Sequence, residues 1–207
     1  MDNILSSLSH TLYIMASIPV LLLLLVFLLP DYANAQRNHT NDISLGSSLS
    51  PNANRTSWLS PSGHFAFGFY PRGDGFAIGI WLVNQTEKTV TWTANRDHPI
   101  VSSNFTLQLS RDGLQLRTGP VNESIYIDSA SAGETASAAM LDSGNFLLYN
   151  NRTHAIWESF DYPTDTILGG QILPNSHELV SIVSTSDQSS GLYSLHMQYE
   201  GNLVTHL

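Results

Sequence analysis

After the polar stretch QRNHTNDISLGSS (36–48), the chain alternates apolar and polar residues in short runs cut by Gly, Pro, Asn and Asp. In HFAFGFYP, Phe65, Phe67 and Phe69 fall on one face of an extended strand, with small Ala66 and Gly68 opposite. GFAIGIWLV is apolar on both faces, the pattern of a strand covered on both sides. NQTEK then reverses the chain into TVTWTANRD, where Val90, Trp92 and Ala94 share a face, and this predicts a hairpin. No window sustains a helical period, so the pattern predicts an all-β fold of many short strands.

A repeat underlies the alternation. SPSGHFAF (60–67), SRDGLQL (110–116), LDSGNFLLY (141–149) and QYEGNLVTH (198–206) each pass through a polar or acidic residue and a Gly into an apolar alternation. The Gly in each is expected in a turn or bulge that needs positive φ. Trp81, Trp92 and Trp157 recur beside these units, which predicts subdomains packed around a shared aromatic centre. If the last unit is one strand, Gln198, Glu200, Asn202, Val204 and His206 form a single, mostly polar row.

The N-terminus bears on the compartment. Tyr13 to Leu29 is an almost unbroken apolar run, followed by Pro30 and by Ala33-Asn34-Ala35, which fits the small-x-small rule for signal peptidase. Cleavage between Ala35 and Gln36 is expected, although the segment before the run has no Lys or Arg and carries Asp2. An uncleaved anchor is the rival reading, but the run falls short of the roughly 20 residues a membrane span needs. Six Asn-x-Ser/Thr sequons, at Asn38, Asn54, Asn84, Asn104, Asn122 and Asn151, fit export, and most lie in stretches that read as turns. Cysteine is absent, so the domain must be held by its core, and disulfide-framework folds are excluded. With 12% charged residues, a net charge of −9 and scattered basic residues, no nucleic-acid partner is expected.

VTWTANRDHPI (90–100), LDSGNFLLY and WESFDYPTDTILGGQ (157–171), in this order, resemble the bulb-type lectin domain of plant receptor-like kinases of the G-type lectin, S-receptor class. The resemblance covers essentially everything after the leader. It implies a β-prism of three four-stranded sheets about a pseudo-threefold axis, no cofactor, secretion, and in longer members a membrane helix and a kinase. The organisation expected is a signal peptide at 1–35, a flexible linker at 36–45, the lectin domain at 46–166 and the start of a second, incomplete lectin-like unit at 167–207, as in a truncated product. Membrane attachment would come through an uncleaved leader or a longer isoform.

The family's mannose motif is Gln-x-Asp-x-Asn-x-Val-x-Tyr, in which amides, a carboxylate and a phenol meet sugar hydroxyls and Val lies under the ring. Carried onto this chain, the closing stretch is the fullest copy: Gln198, Asn202 and Val204 match, while Glu200 stands for Asp and His206 for Tyr. In the copy at 141–149, Leu141 and Ser143 replace Gln and Asp, leaving Asn145, Leu147 and Tyr149. Each lost hydrogen bond costs about 1 kcal/mol out of the roughly 4 available to millimolar binding, so this copy is expected to be silent. At 110–118 the corresponding residues are Ser110, Asp112, Leu114, Leu116 and Thr118, with the carboxylate alone surviving.

Blander readings compete. The closing row also fits the solvent face of an amphipathic strand, and Asn145 fits a turn-stabilising role. Asp142-Ser143-Gly144 matches an aspartic-protease triplet, but no second Asp-Ser/Thr-Gly supplies the partner carboxylate. Glu158, Asp161 and Asp165 lack the dense oxygen spacing of calcium loops, and His64, His98 and His154 lack metal-ligand spacing. Gly169 stands where the family usually has Pro, which is expected to loosen that turn. A non-catalytic module for mannose-type glycans or glycoproteins is therefore expected. The alternative is a module for protein partners such as receptor ectodomains, with the lectin fold kept and sugar binding lost.

Overall fold

Alternation of the kind seen at Phe65, Phe67 and Phe69 hides one row of side chains per strand, and three sheets bring their rows together. The computed structural model describes residues 42–83, 88–119, 121–128, 134–151 and 154–207, with 121–128 described as backbone. The first sheet runs β3 (Ser57–Leu59), β4 (Phe65–Arg72), β5 (Gly75–Leu82) and β6 (Thr89–Thr93), in that order. The second runs β2 (Ser48–Leu49), β7 (Phe105–Ser110), β8 (Gly113–Thr118) and β9 (Val121–Asp128). The third runs β1 (Ile43–Ser44), β10 (Ser137–Met140), β11 (Phe146–Tyr149) and β12 (Ala155–Glu158). All pairings are antiparallel, and the prism expected from the resemblance is the fold found.

One core serves all three sheets. Phe67, Ile80 and Trp92 come from the first, Leu107, Leu109, Leu114 and Leu116 from the second, and Ala138, Met140, Phe146, Leu148 and Trp157 from the third. Phe67 and Phe146 stack across the centre with ring centroids 3.8 Å apart, and Trp58 lies parallel to both. Trp92 and Trp157 belong to this aromatic centre as expected, but Trp81 does not. It points to the other face of the first sheet and packs with Ala66, Tyr70 and Ala77, because odd and even positions of β5 face opposite ways. That second cluster explains why GFAIGIWLV is apolar on both faces. The NQTEK reversal itself lies outside the described residues, yet its flanks pair as a hairpin, Leu82 opposite Thr89.

The structure differs from one expectation at the chain's start. Ile43–Ser44 pairs with Ala138 and Ser137, and Ile43 is buried, so the expected linker at 36–45 runs into an ordered edge strand. A two-residue strand carries too little alternation to be read from sequence. The leader, the Ala35–Gln36 cleavage position, Asn38 and Asn84 lie outside the described residues.

After β12, a 3-10 turn at Ser159–Asp161 leads through a long loop into a fourth sheet of three strands, β13 (Glu178–Ser184), β14 (Asp187–Met197) and β15 (Leu203–His206). Asn41–Leu207 forms one compact unit. Arginines hold the fourth sheet to the first. Arg72 donates to Asp187 Oδ1 at 2.8 Å and to the Arg96 carbonyl at 2.7 Å, and buried Arg96 donates to the Val180 carbonyl at 2.9 Å. Asp97 accepts from both the backbone N–H and the hydroxyl of Ser190, each at 2.7 Å.

Candidate functional site

The four repeat glycines do sit at positive φ: Gly63 at 72°, Gly113 at 107°, Gly144 at 87° and Gly201 at 85°. Gly63, Gly144 and Gly201 sit in the turn before a strand and Gly113 opens its strand, because the turns differ in length, and length decides which side chains face outward.

In the copy at 110–118, Ser110 pairs directly with Gly113 across a two-residue turn. The strand that follows therefore presents Leu114 and Leu116 to the core, 0% and 1% exposed, and these positions cannot meet a ligand. Asp112 is engaged locally, accepting from the Gln115 amide at 3.4 Å. The outward row of this sheet is instead Thr106 and Gln108 on β7, with Arg117 and Gln115 opposite them on β8. Aligning on the glycine missed that row; counting from the apolar pair Leu114 and Leu116 would have found it.

The turn at 141–145 is longer. Leu141 N–H donates to the Asn145 carbonyl and Gly144 N–H to the Leu141 carbonyl, which turns Asn145, Leu147 and Tyr149 away from the core occupied by Phe146 and Leu148. Asn145 is fully committed. Its amide donates to Glu158 Oε2 at 2.6 Å, and its oxygen accepts from the Ser159 hydroxyl at 3.0 Å and the Phe160 N–H at 3.1 Å. Ser159 in turn accepts from the Phe146 N–H at 2.9 Å. The Trp157-to-Thr166 string thus owes its residues to packing: Tyr162 stacks on Trp157 at 5.5 Å, and the Tyr162 carbonyl accepts from Trp92 Nε1 at 2.7 Å. Asp142 accepts the Ser62 hydroxyl and N–H, which hold its carboxyl below the usual range and tie the third sheet to the first.

The closing copy repeats the 141–145 turn bond for bond. Gln198 N–H donates to the Asn202 carbonyl at 2.8 Å and Gly201 N–H to the Gln198 carbonyl at 2.9 Å. This corrects the single-strand expectation for the row. Gln198 and Asn202 face each other across the mouth of the turn, Glu200 is exposed at its tip, and only Val204 and His206 lie on β15. The five residues form a bent patch. Val204 is half-buried opposite His196, and the His206 ring meets the His196 ring edge-on at 6.2 Å. Glu178 Oε2 stands 3.9 Å from His196 Nδ1. Among the described residues, the side chains of Gln198, Glu200 and Asn202 make no hydrogen bond, in contrast to Asn145.

The other sequence candidates are local. Asp165 accepts from the Thr164 and Thr166 hydroxyls, and burial, then the Glu158 charge, pushes the Asp161 carboxyl up. Among the described residues no three His, Cys, Asp or Glu side chains gather to hold a metal. The turn carrying Gly169 is closed by Gln171, whose N–H donates to the Leu168 carbonyl and whose amide oxygen accepts from the Leu168 N–H, both at 3.0 Å. It is therefore not loose. Asn54, Asn104 and Asn151 are exposed in turns or bends, while Asn122 lies within β9.

Comparison with known proteins adds to this geometry. The family model described as D-mannose binding lectin matches residues 89–188. The G-type lectin S-receptor-like serine/threonine-protein kinase LECRK1 of Oryza sativa subsp. japonica is 38% identical over 89% of this chain. The related kinase RLK1 of Arabidopsis thaliana is 29% identical over 89% of it. The chain spans 24% of the length of each of these relatives. Among solved structures, the Japanese Marasmius oreades lectin is similar at a TM-score of 0.41 and 14% identity, over 57% of this chain and 89% of that one.

Proposed function

Because the chain carries a bulb-type lectin domain of the kind found in G-type lectin S-receptor-like kinases, we propose that it is a non-catalytic carbohydrate-recognition module for mannose-type glycans, with its site on the β14–β15 hairpin. The observation that carries this reading is the contrast between two equivalent turns. At 141–145 the Asn amide is consumed by Glu158, Ser159 and Phe160; at 198–202 the side chains of Gln198, Glu200 and Asn202 make no hydrogen bond among the described residues. Two amides and a carboxylate offer donors and acceptors to vicinal hydroxyls, and Val204 offers an apolar surface to ring carbons. His206 can donate or accept where the family has a phenol.

A single shallow site of this kind binds weakly and acts through repetition on a multivalent glycan surface. Residues 167–207 are read as the opening of a second lectin-like unit, supported by the turn that reproduces 141–145. Placement outside the cell, at or near a cell surface, is supported by the apolar leader and the exposed sequons at Asn54, Asn104 and Asn151. The second reading, a protein-recognition module, is favoured by the two copies within the prism that are closed to ligand, one facing the core and one fully hydrogen-bonded.

A glycan array probed with the exported chain beside an Asn202→Ala variant separates the two. Mannose-type binding lost in the variant supports the lectin reading; no glycan binding from a folded sample overturns it and favours a protein partner.

A further inference from the structure

One end of the prism holds a hollow of about 480 Å³, and no position of the sugar motif lines it. Its walls include Leu45 from the β1–β2 turn, Arg111 from the tip of the β7–β8 hairpin, Glu134 ahead of β10, and Asn151 and His154 from the β11–β12 turn. Small-molecule sites span about 300–1,000 Å³, so the hollow has room for a sugar. Asn151 also heads the sequon Asn151-Arg152-Thr153. We propose that an N-linked glycan on Asn151 folds back into this hollow and is held there, as a covalent ligand that closes the end of the prism.

Main-chain hydrogen bonds fix the wall segments to one another. Gly46 N–H donates to the Leu109 carbonyl at 2.9 Å, Thr135 N–H to the Arg111 carbonyl at 2.8 Å, and Ala136 N–H to the Tyr149 carbonyl at 2.7 Å. The turn that carries Asn151 is closed twice at its base. Asn150 N–H donates to the His154 carbonyl at 3.0 Å, and Asn150 Oδ1 accepts from the His154 N–H at 3.1 Å. A glycan on Asn151 therefore leaves from a fixed point on the rim of a hollow that is formed before the sugar arrives, which lowers the entropic cost of holding it.

The walls match the chemistry of N-acetylglucosamine, the first sugar of such a glycan. Arg111 Nη1 and Glu134 Oε2 stand 3.4 Å apart, with side chains 70% and 73% exposed. An ion pair so exposed adds little to stability, so both groups can turn to a sugar. The guanidinium donates to hydroxyl and acetamido oxygens, the carboxylate accepts from hydroxyls, and the His154 ring can do either. Leu45, 39% exposed, offers apolar surface to the acetamido methyl.

The acceptor residue is open to modification. Asn151 is exposed, and among the described residues its side chain makes no hydrogen bond. Asn104 differs, because its Nδ2 donates to Thr118 Oγ1 at 3.0 Å and its oxygen accepts from the Ser102 hydroxyl. Attachment breaks the bond between C1 of the glycan and the phosphate oxygen of a lipid-pyrophosphate donor. It forms a C–N bond at Asn151 Nδ2, which loses one proton. That donor is met on export, so the proposal rests on the placement outside the cell argued above.

The test is peptide mapping and timed digestion of the exported chain, made in cells that leave its glycans as oligomannose, with an endoglycosidase that cuts between the two core N-acetylglucosamines. Asn151 is expected to be glycosylated. From the native chain its glycan should be released about tenfold more slowly than the chain's other glycans, as one or two net hydrogen bonds to the sugar would give, and at their rate after denaturation. Arg111→Ala with Glu134→Ala removes two exposed side chains, so the thermal midpoint should hold while Asn151 release rises to the rate of the others. An unmodified Asn151 on a chain glycosylated at other sequons overturns the proposal and leaves export standing; a chain bare at every sequon overturns both. Equal native rates, or slow release that survives the double substitution, would also overturn the proposal.

Discussion

Asn145 Nδ2 lies 2.6 Å from Glu158 Oε2, so the amide that opens β11 is spent on the strand beside it. The same oxygen and nitrogen on Asn202, one sheet away in an identical turn, make no hydrogen bond within the described residues. Asn145→Ala leaves a Glu158 carboxylate, the Ser159 hydroxyl and the Phe160 N–H short of a partner, and is expected to cost about 2–3 kcal/mol. Asn202→Ala should change stability by less than about 0.5 kcal/mol while removing glycan binding. Thermal unfolding of the two variants, side by side with a binding assay, checks both halves.

The two turn glycines also separate packing from local strain. Gly144 and Gly201 share a left-handed backbone, at φ 87° and 85°. A Cβ at Gly144 would lie 2.4 Å from Leu168 Cδ1 and 2.8 Å from Phe65 Cε1, whereas one at Gly201 meets nothing within 4 Å. Gly201→Ala is expected to cost about 1 kcal/mol of backbone strain, and Gly144→Ala about 1–3 kcal/mol more through overpacking. Urea unfolding midpoints of the two variants measure the difference.

Acid should loosen the attachment of the fourth sheet. The Ser189 hydroxyl, then the Arg72 guanidinium and the Ser189 N–H, hold Asp187 down from 3.8 to about 2. Asp97 is held low in the same direction, by the N–H and hydroxyl of Ser190. A carboxyl whose folded value is depressed adds stability above its unfolded value and loses it as pH falls through the folded one. The loss for Asp187 therefore runs from about pH 4 down to about 2. Hydrogen exchange at 187–197 should rise over that window, and Asp187→Asn should flatten the response.

Much of the prism was legible because alternation reports burial directly. Phe65, Phe67 and Phe69 face the core as their spacing predicts, and the repeat glycines mark turns as their chemistry requires. What alternation cannot report is register. A turn shorter by one residue sends Leu114 and Leu116 inward, although they follow Gly113 at the same distances as Asn145 and Leu147 follow Gly144. Commitment of side chains was equally hidden, since Asn145 and Asn202 look alike until Glu158 and Ser159, distant in sequence, are brought beside one of them. The latch of Arg72, Arg96 and Asp97 on the fourth sheet was missed for the same reason: its partners Asp187, Val180 and Ser190 are 84 to 115 residues away.

The central claim is that ligand meets the β14–β15 hairpin. Its most direct test is an amide-resolved NMR titration of the isotope-labelled chain with methyl α-mannoside. Saturable shifts at Gln198, Glu200, Asn202, Val204 and His206, with none at 141–149, are the predicted result. No shifts at saturating sugar, or shifts gathered at Asn145, Leu147 and Tyr149 instead, would contradict it.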